Sequence, residues 1–156
     1  MEHSLVELND LPDEILMIIL KKLRNVQVLY SLIGVNKRLH AIVHDSIFTN
    51  RLTLMRWISY NSTYPLPDPV LDRFCLQILP KIHCNIKWLN LESSSMKRIL
   101  LATNYPILYG LGLFDMDVET ALSLFTGKPF SSILSIIIVN EECTRIKMNF
   151  EYLIYI

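Results

Sequence analysis

The sequence predicts an α+β chain organised by segment, with a helical N-terminal unit followed by a short βα region on a small parallel sheet. Three observations carry this. Short helical patterns follow one another closely over the first sixty residues. A run of prolines and turn formers, NSTYPLPDP, then interrupts the chain at 61–69. Beyond it, three windows share one spacing of apolar residues and alternate with helical patterns.

The elements follow in order. Pro12 suits the first turn of a helix, and Asp13 and Glu14 stand behind it at the positive end of the helix dipole. Lys21, Lys22 and Arg24 close that helix at its negative end, so it spans residues 12–23. From Ile15 to Leu23, seven of nine residues are apolar and surround most of the circumference. A helix apolar all round must be covered on several sides. A unit of about forty-five residues can hardly do that alone, so the cover comes from the second half of the chain or from another protein. A second helix runs from Val26 to Ile33 and stops at Gly34; a third, Lys37 to His44, is N-capped by Asn36. A fourth helical pattern, Ser46 to Trp57, presents Phe48, Leu52 and Met55.

This N-terminal stretch resembles an F-box, with an expected domain of 5–58 and a linker of 59–69. The matching features are Leu11-Pro12 with Glu14, the pairs Ile15-Leu16 and Ile19-Leu20, then Leu23, the stretch from Val35 to Leu39, and Phe48 with Leu52. The resemblance implies a helical hook that docks on the Skp-type adaptor subunit, and through it a cullin, of an SCF-type ubiquitin ligase. It also implies the contact residues: Leu11, Pro12, Ile15, Leu16, Ile19 and Leu20.

In the region 70–156, the windows beginning at Ile86, Leu108 and Ile133 each read LxxLxL, spaced 22 and then 25 residues apart. They are similar to leucine-rich repeats, whose apolar positions point inward and stack between neighbours. Strands are expected near 86–91, 108–113 and 133–139. Return helices are expected at Ser95 to Thr103 and Val118 to Phe125, with Val70 to Leu79 as an N-terminal cap. The family usually places Asn or Cys at the ninth position, where this chain has Ser94, Met116 and Glu141. The terminal NFEYLIYI alternates like one more strand; its role, and whether the chain is complete or truncated, stay open.

Trp88, Asn90, Tyr109 and Phe114 fall at outward strand positions, where aromatic anchors would hold a protein target. The competing reading is that they pack on the linker or the terminal strand. Leu134, Ile137 and Val139 are too apolar for a wet surface and are expected to meet the C-terminal segment.

Composition and motifs narrow the function. With 51% hydrophobic residues and no net charge, the chain is neither disordered nor suited to nucleic acid. The longest aliphatic run, Ile15 to Leu20, is far too short to cross a membrane. The N-terminus lacks a signal-peptide layout. Cys75, Cys84 and Cys143 form no CxxC spacing and fit a reducing compartment, cytoplasmic or nuclear. His40 and His44 have the spacing of two zinc ligands but lack the intervening Glu, and no closed ligand set exists. No nucleophile elbow or phosphate loop is present, so neither enzyme activity nor a cofactor is expected.

The expected function is therefore a substrate-recruiting adaptor. The alternatives are an F-box fragment that binds the Skp-type adaptor without a target and, on strand–helix alternation alone, a small α/β enzyme.

Overall fold

A computed structural model of the chain describes residues 7–59, 62–117, 119, 135–139 and 145–149. The N-terminal region is helical: α1 (Asp13–Leu20), α2 (Asn25–Leu32), α3 (Lys37–Val43) and a single turn, α4 (Ser46–Thr49). Local chemistry sets these boundaries. Asp13 and Glu14 occupy the first turn of α1. Gly34 follows α2 with φ of 82°, a conformation that costs a side chain with Cβ about 1 kcal/mol or more. The Asn36 side chain accepts from Leu39 N at 2.8 Å and so caps α3. Arg38 and Asn36 also pin the segment ahead of α1. The Arg38 guanidinium donates to Asp13 and to the carbonyl oxygens of Asn9 and Leu11, and Asn36 Nδ2 donates to Asn9 Oδ1 at 3.1 Å.

The fourth helix expected over Ser46 to Trp57 is corrected. It ends at Thr49, and the chain continues as β1 (Arg51–Thr53) and β2 (Met55–Ser59). β1 pairs in parallel with β4 (Trp88–Glu92), which matches Leu52 to Leu89. That pairing buries Leu52 and Leu54 completely, a gain of about 2 kcal/mol each that the weak helical spacing cannot match. The stretch expected as a linker holds regular structure: β3 (Ser62–Pro65) runs antiparallel to β2, and α5 (Asp68–Arg73) opens two residues ahead of the expected Val70. From α5 the chain continues through a π-helical stretch, Phe74–Ile78, into α6 (Leu79–Ile82).

The main sheet has the order β1-β4-β5-β6-β7, with β5 at Gly110–Phe114, β6 at Ser135–Val139 and β7 at Arg145–Asn149. Its first four strands are parallel and β7 is antiparallel to β6. The strands begin about two residues later than the apolar windows predict. α7 (Ser93–Leu100) returns from β4, its N-terminus capped by the buried Glu92 carboxylate, which accepts from Ser94 N at 2.8 Å and Ser95 N at 2.6 Å. The return helix expected at Val118 to Phe125 and the terminal segment beyond Asn149 lie outside the described residues.

Alternation divides the sheet's two faces. Leu52, Leu89, Leu111 and Ile136 form one buried row, and Leu91, Leu113 and Ile138 another. These rows join Met96 and Ile99 of α7, Phe74 and Ile78, and Leu20, Val28 and Leu29 of the helical region in a continuous core. The first helices and the sheet therefore share one interior. Asn25 adds a polar tie, donating from Nδ2 to the carbonyl oxygens of Ile47 and Arg51, each at 3.1 Å.

Candidate functional site

Two surfaces stand out, one on α1 and one on the open face of the sheet. The first follows from helix geometry. Leu16 is 0% and Leu20 3% exposed, whereas Ile15, Ile18 and Ile19 are 43%, 57% and 41% exposed. Residues three and four apart share a helix side, so these three isoleucines form one open stripe opposite the buried leucines. Of the six contact residues the resemblance implied, Pro12, Ile15 and Ile19 lie on the surface and Leu11 is half-buried. Leu16 and Leu20, also expected as contacts, are buried in the core. Ile18 was missed. A helix apolar all round hides which leucine or isoleucine stays exposed, and only its packing onto the core resolves this.

Three exposed isoleucines on eight residues of helix are costly to leave in water, at about 25 cal/mol for each Å² of apolar surface. No polar tip shields them, unlike an exposed Lys or Tyr. Leu8, Leu23 and Val35 add further exposed aliphatic side chains in the same helical region.

The second surface is the outward row set of the sheet. Trp88, Gly110 and Ser135 are aligned across it, as are Thr53, Asn90, Gly112 and Ile137, and Glu92, Phe114 and Val139. The Trp88 ring lies across Gly110, where a Cβ would overlap its Cε3 and Cζ3 atoms. Gly112 leaves room for Asn90 Oδ1 in the same way. Trp88 Nε1 donates to Asn90 Oδ1 at 2.7 Å, and Asn90 Nδ2 donates to Thr53 Oγ1 at 3.0 Å. Arg51 sits 5.1 Å over the Trp88 ring, and Tyr109 meets that ring edge-on at 6.1 Å.

The β2–β3 hairpin reaches the other end of this face. Trp57 meets Phe114 edge-on with ring centres 5.1 Å apart. Thr63 Oγ1 donates to Asp115, which holds a left-handed conformation at φ of 54°. Between the hairpin and the sheet lies a cavity of about 490 Å³ lined by Trp57, Trp88, Asn90, Phe114 and Ile137 among others.

Trp88, Asn90 and Phe114 are thus brought to one site, with Tyr109 at its edge. Trp88 is only 9% exposed, so its role is chiefly to floor the face. Ile137 and Val139 line the cavity and lie on β6 beside β7 of the C-terminal segment; Leu134 lies outside the described residues. Arg51 and Trp57 were missed because both fell inside the helix expected there. The signal was present in RLTL at 51–54, which repeats the alternation of WLNL at 88–91 and GLGL at 110–113.

Among the described residues three titratable groups are shifted by their surroundings. Burial, with Cys75 nearby, holds the Tyr105 hydroxyl well above the usual phenol range; that hydroxyl donates to Ile99 O at 2.7 Å. Burial also raises the Cys75 thiol. His40 is lowered by desolvation, then by His44 and Lys81. Among the described residues no group of three or more His, Cys, Asp and Glu is placed to hold a metal, and no helix is long and apolar enough to cross a membrane.

Comparison with known families matches residues 8–55 to the family described as F-box-like. Those residues form an F-box-like domain, of a type that is usually a non-catalytic adaptor and implies a Skp-type adaptor as partner. The match begins three residues inside the expected start at 5 and ends three residues before the expected end at 58. It contains α1 to α4 and extends through β1 to the first residue of β2. Comparison with curated proteins and with solved structures returns no significant match.

Proposed function

We propose that this protein is a substrate-recognition adaptor of an SCF-type ubiquitin ligase. Its F-box-like domain docks on the Skp-type adaptor, and through it a cullin, while the open face of the sheet holds a protein target. One observation carries this reading. α1 covers its leucines with its own core and leaves Ile15, Ile18 and Ile19 open, and a stripe of that kind calls for a partner surface. Pro12 and Leu11 flank it, in a segment pinned by Arg38 and Asn36.

The second half of the proposal is that Trp88, Asn90, Tyr109 and Phe114, with Trp57, form the target face. The βα units behind them are read as short leucine-rich repeats. The apolar spacing and the stacked rows of Leu89, Leu111 and Ile136 support this. The protein performs no chemistry; it positions a target relative to the ligase.

The test is co-expression with a Skp-type adaptor, followed by co-purification and light scattering. A stable one-to-one complex that is lost in Ile18→Glu/Ile19→Glu is expected. That pair changes exposed side chains only, so the variant keeps its fold. A monomer indifferent to the adaptor would overturn the proposal.

A further inference from the structure

Among the described residues two arginines make ion pairs. Arg38 pairs with Asp13 at 2.6 Å, and Arg98 pairs with Asp68 and Asp72. Arg73 lies over the Tyr30 ring at 4.6 Å. Arg24, Arg51 and Arg56 make no ion pair among the described residues, and Arg51, like Arg73, lies over an aromatic ring. Arg24, Arg51 and Arg56 line a single groove of about 600 Å³ between the start of α2, β1 and the hairpin, and no aspartate or glutamate lines it with them. The groove shares Arg51 and Trp57 with the cavity on the open sheet face, so the two run into each other.

The chemistry of the groove is specific. Each cation comes from a different element, which spreads positive charge along the groove instead of focusing it on one point. Two of the three are held in place: Arg56 Nε donates to Pro65 O at 3.0 Å, and Arg51 lies on the Trp88 ring. Between them, Val26, Met55, Leu66 and the half-exposed Trp57 supply apolar wall. Guanidinium groups match carboxylates with paired hydrogen bonds and are weakly hydrated, so they suit a partly desolvated contact. Like charges held together without a counter-charge repel one another, and an anionic ligand relieves that.

We infer that this groove binds an extended acidic segment of the target protein, with several carboxylates set about one apolar residue. The carboxylates meet Arg24, Arg51 and Arg56, and the apolar side chain lies against Trp57. A single phosphate would engage one guanidinium or two and leave the rest of the groove unmatched. The inference rests on the target-binding half of the proposed function and names the class of segment that half recognises.

Fluorescence anisotropy of the full chain tests this, with a labelled decapeptide of glutamates around one central leucine as probe. Arg24→Ala/Arg56→Ala should weaken binding about tenfold or more, the scale of lost charge-assisted contacts. Lys37→Ala/Lys97→Ala removes the same charge from exposed sites elsewhere and should leave binding within about twofold. Equal loss in both variants, or no binding to the wild-type chain, would overturn the inference. So would tighter binding of a singly phosphorylated, otherwise neutral peptide, or of a single-stranded oligonucleotide.

Adaptor co-purification on the same variants separates the two proposals. Peptide binding without adaptor binding removes the ligase role and leaves the groove. Adaptor binding without peptide binding does the reverse.

Discussion

The two surfaces of this molecule expose apolar groups in opposite ways. On α1, three isoleucines stand in water with no polar group among them, and the buried leucines behind them hold the helix in place. On the sheet, the large Trp88 ring is pressed onto a glycine, its N–H is bonded to Asn90, and an arginine covers it. Among the described residues nothing covers the first surface. The second has its polar groups bonded, and what it offers is a rim of aromatic edges and of cations that make no ion pair among the described residues. Aliphatic surface of the first kind fits a lasting interface with a fixed subunit. The second kind fits recognition of a segment that binds and leaves, where electrostatics governs the rate of encounter.

The contrast within α1 gives the largest expected effect. Leu16→Ala should lower the unfolding free energy by about 3–5 kcal/mol, as buried leucine truncations do, while Ile18→Glu/Ile19→Glu should shift it by no more than about 0.5 kcal/mol. Urea unfolding of the two variants measures both. Similar losses in the two would mean that the isoleucines are covered from within.

The sheet face is sharpened by Gly110→Ala. The added methyl collides with the Trp88 ring, and the expected loss is about 1–3 kcal/mol, the usual cost of overpacking. Combining it with Trp88→Leu should recover part of that loss, because the colliding ring is gone. A double-mutant cycle from urea unfolding reads the coupling. Additive losses would mean that the ring does not lie across the glycine.

The smallest effect concerns pH. The His40 pKa is lowered in the folded protein, by desolvation first and then by His44 and Lys81. Below the ordinary histidine range near 6.5 the unfolded chain therefore binds more protons at this site than the folded one. Stability should fall slightly as pH drops through that range, and the fall should level off once the folded form is also protonated. His40→Gln should flatten this slope in thermal melts between about pH 5 and 8. An unchanged slope would assign it elsewhere.

Much of this architecture is legible in the residues. Asn36 announces α3 because its side chain can accept from the first free N–H groups of the helix, and Asp68-Pro69 announces α5 because a proline and an acidic residue both suit a first turn. The alternation in WLNL and GLGL yields the inward rows and, by parity, the outward residues Trp88, Asn90 and Phe114. What could not be read locally was set by pairing across the chain. Arg51–Thr53 is three residues long, too short for any period to register, and is a strand because β4 lies beside it. The hairpin following it was hidden by prolines that suggest a linker, although Pro65 closes a strand that pairs with β2. Arg51 and Trp57 reach the site through these two errors of element type. The split of α1 into buried leucines and open isoleucines was equally out of reach, since both kinds are apolar and only packing tells them apart.

The account turns on the open stripe of α1, and calorimetric titration of a Skp-type adaptor into the purified chain tests it most directly. It predicts one-to-one binding that disappears in Ile18→Glu/Ile19→Glu and is unchanged in Arg24→Ala/Arg56→Ala. Binding that survives the isoleucine changes, or that is lost with the arginines instead, would contradict it.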